Sequence, residues 1–178
     1  NLKYLKWSYE SLRKNIGYRH EICYADDAST DGTWEWLQEI AKKDNNVKIH
    51  RNKGPERLGH TILYDTLVNE VSTNDIIMIA HADMYILPNM DTEVLKHLKP
   101  GIVVSATRIE PPLHPDGPEK VLMDFGIEPE EFKEQELLNW YNKDYKPEQE
   151  TTEGIFAPWA IYKKDFQSIN GHDPLYAP

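Results

Sequence analysis

The chain has 178 residues, 39% hydrophobic and 28% charged, with a formal net charge of -10; this composition fits one globular domain with one core and excludes a disordered chain. The acidic balance argues against nucleic acid as a partner, because phosphates would be repelled, but leaves room for a small anionic ligand held through a divalent cation. No run approaches the ~20 apolar residues that span a bilayer, and one cysteine, Cys23, permits no internal disulfide, which fits a reducing, cytoplasmic setting, peripheral membrane association included.

Leu2, Leu5, Tyr9, Leu12 and Ile16 recur at helical spacing behind Asn1, a good N-cap residue, and Gly17 is expected to end that helix. Residues 21–25 read as a strand and 26–32 as a turn with Asx-type hydrogen bonding. A helix follows over 33–43, with Trp34, Leu37, Ile40 and Ala41 on one face. A short strand at 47–50 leads to a loop over 52–59, which contains Gly54, Pro55 and Gly59, and then to a helix over 61–71. Residues 75–80 form an apolar run of the kind buried on both faces of a sheet. A helix is predicted over 89–98 and a strand over 102–107.

The stretch 110–153 is different: rich in proline and acid, with one helical piece at 129–141. It reads as an elaborated loop region over the site, where acceptor choice would reside, rather than a separate domain. A strand at 154–162 and a short helix at 164–169 complete the pattern. This alternation predicts a single α/β domain over 1–178, with a mostly parallel central sheet flanked by helices and an irregular, loop-rich insertion. In such sheets ligands sit beyond the carboxyl ends of the strands. Asp26, Asp27, His81 and Asp83 all fall at such ends.

Ile22-Cys23-Tyr24-Ala25 drives into two adjacent acids, Asp26 and Asp27. Carboxylates there can accept hydrogen bonds from a base N–H or a ribose hydroxyl; they can also cap the free N–H groups of a nearby helix, a role that suffices for Asp31. The run 76–80 ends in His81-Ala82-Asp83. Mg²⁺ and Mn²⁺ prefer oxygen ligands, Mn²⁺ also tolerates imidazole, and positions 81 and 83 of an extended segment point to one side. The same triplet also reads as an ordinary strand end with a surface acid. Lys53, Arg57 and His60 lie where they could meet phosphate charge. Trp140, Tyr141, Trp159 and Tyr162 can stack on a sugar or base, or simply pack. There is no G-x-G-x-x-G after a strand, no P-loop and no nucleophile elbow.

The order of these motifs resembles family 2 glycosyltransferases of the GT-A fold. The resemblance rests on Asn1-Leu2-Lys3-Tyr4-Leu5 with Ser11-Leu12, on Tyr24-Ala25-Asp26-Asp27-Ala28-Ser29-Thr30-Asp31-Gly32-Thr33, on His81-Ala82-Asp83 in the place of a D-x-D motif, and on residues 163–178. It implies a hexosyltransferase-type enzyme, as in polysaccharide biosynthesis, that uses Mn²⁺ or Mg²⁺. The implied donor is a nucleotide-diphosphate sugar, and the implied acceptor is a glycan, lipid or other hydroxyl. By the same resemblance Asp26, Asp27, Arg57, His60, Ala82, Asp83 and Trp159 would bind the nucleotide sugar, Asp83 and His81 would hold the metal, and transfer would invert the anomeric carbon. Three departures accompany it. The family's first strand, which precedes the residue matched by Asn1, is lacking; His81 replaces the first acid of the metal motif; and the catalytic base of the family follows the segment that ends at Pro178. The resemblance therefore implies a fragment truncated at both ends, with Glu153 or Asp173 as the substitute bases at hand. The alternatives are a glycosyltransferase-like domain that binds nucleotide or glycan without turnover, and a nucleotidyltransferase, which would want a Gly-rich basic N-terminal loop that is not seen.

Overall fold

The computed structural model describes residues 1–113, 115–117, 119–146, 154–173 and 175. Helix α1 (Leu2–Asn15) turns toward the core a face in which Leu5, Ser8, Ser11 and Asn15 are buried. This is more polar than the apolar spacing predicted. The reason lies in the irregular segment it packs on: Ser11 Oγ accepts from Ile86 N at 3.0 Å, and Asn15 Nδ2 donates to Ile86 O at 2.7 Å. Small hydrogen-bonding side chains thus satisfy backbone groups that have no strand neighbour. The end of α1 also differs from expectation. Gly17 makes no left-handed cap; its N–H and that of Tyr18 both donate to Asp91 Oδ2, at 3.0 and 2.8 Å.

Strand β1 (Ile22–Asp27) runs two residues beyond its predicted end, so both acids lie within it. It pairs in parallel with β2 (Val47–Asn52), from Ile22 opposite Val47 to Asp27 opposite Asn52. Between them α2 (Thr33–Lys43) has the predicted bounds. Asp31 Oδ1 accepts from Thr33 N and Oγ1 at its start, at 3.2 and 2.6 Å. Only Leu37 of the predicted inward face is fully buried. Helix α3 (Gly59–Thr66) continues into a π-helical turn, Leu67–Val71.

Strand β3 (Ile76–Ile79) is followed by α4 (Met90–His97) and by β4, which is only Val104–Ser105. The apolar run of β3 is covered less than predicted: Ile77 and Ile79 are buried, but Ile76 is 38% exposed. The final strand, β7 (Trp159–Tyr162), inserts antiparallel between β3 and β4. Helix α6 (Lys163–Ser168) then lays Phe166 on it. Val68, Ile77, Ile79, Trp159, Ile161 and Phe166 form one core cluster.

The α/β class expected from the sequence holds, but the described strands do not form one large parallel sheet. The described strands fall into sheets of two, three and two, and the three-stranded one is antiparallel. Alternating periodicity reports that strands exist, whereas direction is set by how the chain returns. Here β7 re-enters after a long excursion and runs against its neighbours. That excursion holds a parallel pair, β5 (Arg108–Glu110) with β6 (Lys120–Leu122). It also holds a 3-10 turn at Pro129–Glu131 and helix α5 (Glu134–Lys143), where one helical piece was predicted. It is fastened to α1 by Lys3 with Glu128, by Lys14 with Glu134 at 2.6 Å, and by Trp7 edge-on to Phe132 at 5.0 Å.

Glu21 joins the two sheets nearest the candidate site. Just before β1, its Oε1 accepts from Thr73 N at 2.6 Å and its Oε2 lies 2.6 Å from Lys48 Nζ on β2. The segment leading into β3 is thereby held against the β1–β2 pair.

Candidate functional site

The carboxyl ends of β1 and β3 open on one cleft of about 480 Å³. Asp26, Asp27, His60, Tyr64, His81 and Asp83 all line it, as does Ala82. Residues fifty and more positions apart along the chain converge there because parallel pairing sets the end of β1 at the loop before α3, and β3 stops beside it.

The two adjacent acids have different environments because successive strand side chains face opposite ways. Asp27 Oδ1 accepts from Asn52 Nδ2 at 2.7 Å and from Leu58 N at 3.0 Å, while Oδ2 accepts from Gly59 N at 2.9 Å. Burial acts to raise its carboxyl, but those three donors and the charge of Arg57 outweigh it and hold the group below the ordinary carboxylate value. Asp27 thus caps α3 and fixes the preceding loop while bordering the cleft.

Asp26 is the reverse case. Its side chain is 0% exposed, and neither oxygen has a hydrogen-bond partner among the described residues. Arg51 Nε approaches to 3.3 Å, near enough for charge attraction but not aligned as a hydrogen bond. Arg51 is itself seated over the Trp34 ring at 4.9 Å. An orphaned buried carboxylate costs several kcal/mol. One that lines a cleft is ready to accept from a ligand.

His81, Ala82 and Asp83 are exposed, and Ala82 and Asp83 form a turn rather than an extended end. The alternation argument for positions 81 and 83 therefore does not apply; the turn nonetheless leaves both on the cleft wall. Beside them, the Tyr64 hydroxyl is pushed up by burial and then by the negative charge of Asp83, so it remains a protonated donor at neutral pH. His60 packs against Tyr64 with ring centres 5.9 Å apart, one helical turn earlier.

Other predicted residues lie elsewhere. Arg57 and Lys53 are exposed and are not among the cleft-lining residues; Arg57 reaches the site only through its charge on Asp27. Trp159 is in the core cluster and lines a second cavity. Trp140 and Tyr141 pack on Tyr145 within the insertion, and no residue of its described part lines the cleft. Asp173 is exposed, with Oδ1 accepting from Leu175 N at 2.9 Å, and is not among the lining residues of either cavity. Glu153 lies outside the described residues. Sequence reasoning missed Tyr64 and Asn52; the i, i+4 spacing of Tyr64 from His60 was a usable signal, whereas Asn52 was findable only from strand register.

Among the described residues there is no group of three or more His, Cys, Asp and Glu that could hold a metal. Asp83 and His81 offer one carboxylate and one imidazole on the cleft wall, which suits an ion that takes its remaining ligands from substrate phosphates and water.

These strand-end acids in a mixed α/β domain agree with what a family comparison finds. The model of glycosyl transferase family 2 matches residues 1–167, and the chain belongs to that family. Its general activity is glycosyl transfer, on a GT-A-like domain. No curated protein matches the chain. No helix among the described residues is long and apolar enough to cross a membrane.

Proposed function

We propose that this domain transfers a sugar from a nucleotide-diphosphate donor to an acceptor hydroxyl, with inversion, in a metal-dependent reaction. The carrying observation is that Asp26, Asp27, His81 and Asp83 share one cleft at the ends of β1 and β3. The orphaned carboxylate of Asp26 supplies an acceptor for a base N–H or a ribose hydroxyl. Asp27 keeps the loop and α3 in register at the cleft rim, and His60 on the cleft wall can hydrogen-bond to an oxygen of the diphosphate; Arg57 belongs to the proposal as charge held near Asp27. Asp83 and His81 would hold Mn²⁺ or Mg²⁺, and such an ion would supply positive charge toward the diphosphate leaving group. Tyr64 can donate to an oxygen of the bound donor. In-line attack by the acceptor oxygen inverts the anomeric carbon, and the insertion over 110–153 is the region we assign to acceptor choice. A cytoplasmic location, membrane-peripheral association included, and action as one domain over 1–178 belong to this proposal.

A second reading, binding of nucleotide or glycan without turnover, is favoured by Asp173, which is exposed and is not among the residues that line the cleft. Calorimetry with UDP and GDP, with and without Mn²⁺, tests the donor site. We expect Mn²⁺ to tighten binding and Asp83→Ala to abolish the metal-dependent part while the fold persists. Unchanged metal-dependent affinity in that variant would refute the assigned role. Binding without donor hydrolysis or transfer would leave only the second reading.

A further inference from the structure

One side chain closes the rim of the cleft between β2 and α3. Asn52 is the last residue of β2 and stands opposite Asp27 on β1. Its Nδ2 donates to Asp27 Oδ1 and to Glu56 O, both at 2.7 Å, and its Oδ1 accepts from Gly54 N at 3.0 Å. Its backbone O accepts from Ala28 N at 3.2 Å. A single amide thus joins the acid that ends β1 to both limbs of the loop over 53–58.

That loop has little else to hold it. Lys53, Pro55, Glu56, Arg57 and Leu58 are exposed, so no buried apolar side chain anchors it. Gly54 comes close against the turn after β1: a Cβ there would lie 3.2 Å from that of Ala28, and both residues have positive φ, +73° and +56°. A left-handed alanine is strained, and such strain persists only where the surroundings fix it. Asp27 accepts in addition from Leu58 N and Gly59 N, at 3.0 and 2.9 Å, where α3 begins. Helix α3 carries His60 and Tyr64, both on the cleft wall. From Asn52 to that wall there runs an unbroken path of amide, carboxylate, helix start and the two side chains one turn apart. An amide suits the first place in it, because it donates on one side and accepts on the other, whereas an ionised carboxylate donates nothing.

We infer that Asn52 is a positioning residue for the donor: by orienting Asp27 and closing the loop, it sets where α3 presents His60 and Tyr64 to the nucleotide diphosphate. This rests on the donor-cleft reading above. A tie that served the loop alone would have no need to pass through a carboxylate that borders the cleft.

The test measures UDP and GDP binding with Mn²⁺ by calorimetry, from pH 8 to pH 5, for wild type, Asn52→Ala and Asn52→Asp, with urea unfolding alongside. Asn52→Ala should bind the nucleotide about tenfold more weakly than wild type at every pH. Asn52→Asp brings two carboxyl groups into contact, and two carboxylates that share a site do not both stay ionised without cost. At pH 8 they repel, and affinity should again fall about tenfold below wild type. As the pH falls the pair takes up one proton, and its O–H replaces the lost N–H. The ratio of wild-type to variant affinity should therefore shrink toward one by pH 5 for Asn52→Asp and stay constant for Asn52→Ala. Groups common to all three proteins, among them Arg57 beside Asp27 and His60 and His81 on the cleft wall, cancel in that ratio. If the alanine variant does not fold, the pH dependence of Asn52→Asp carries the comparison. Wild-type affinity in the variants at pH 8, or a ratio for Asn52→Asp that does not change with pH, would overturn the inference and leave the donor cleft standing. A loss of urea stability with no change in affinity would do the same, reducing Asn52 to a tie within the loop. Failure of wild type to bind either nucleotide would overturn the donor reading and this inference together.

Discussion

The bridge made by Glu21 gives the most quantitative expectation. Burial acts to raise its carboxyl, but Lys48 and the backbone and hydroxyl of Thr73 more than offset this and bring it from 4.5 down to about 2. Its side chain is only 12% exposed, against 32% for Lys48. The folded value lies below the unfolded one, so the carboxylate form stabilises the fold. That contribution is fully present above about pH 5 and is lost as the pH falls toward 2. The drop corresponds to about 3 kcal/mol at neutral pH. Glu21→Gln removes the charge while its amide oxygen can still accept from Thr73 N. Urea unfolding of wild type and variant, run from pH 7 to pH 3, should show a gap of roughly 2 to 3 kcal/mol at neutral pH. The gap should narrow steadily below pH 5. A gap that stays constant to pH 3 would mean that hydrogen-bond geometry, not charge, gives Glu21 its effect, and the reasoning would fail. Because Glu21 ties the entry of β3 to the β1–β2 pair, the variant should also bind UDP more weakly, as the two halves of the cleft lose their mutual register.

The adjacent aspartates should respond oppositely. Asp26→Asn removes a buried carboxylate that has no hydrogen bond and only the Arg51 charge beside it, so the melting temperature should hold or rise while UDP affinity falls about tenfold; a marked loss of stability would show that Arg51 already satisfies the group. Asp27→Ala strips three donors of their acceptor and should cost roughly 2 to 4 kcal/mol, with faster hydrogen exchange at Leu58 and Gly59; unchanged exchange there would refute the capping role. Phe166→Ala, at a residue 2% exposed in the core under the second cavity, should cost about 3 to 5 kcal/mol in urea unfolding. A loss below about 1 kcal/mol would mean that the site collapses around the gap.

Much of this was legible along the chain. A strand running toward the acids at 26 and 27 was read, though it extends through them, α2 began and ended where its periodicity and its Asp31 turn required, and the order of motifs resembled the family to which residues 1–167 belong. Local chemistry determines such features, because period, caps and turn residues act over a few positions. Only the tertiary structure decided that β7 would run antiparallel between β3 and β4, that Ser8 and Ser11 rather than a run of apolar side chains would face the core, and that Asp26 would be orphaned while Asp27 was fully bonded. It also decided that Asp65 and His172, more than a hundred residues apart, would meet. Each of these depends on which distant segment arrives alongside. Pairing direction, burial and hydrogen-bond supply are properties of the neighbour as much as of the residue.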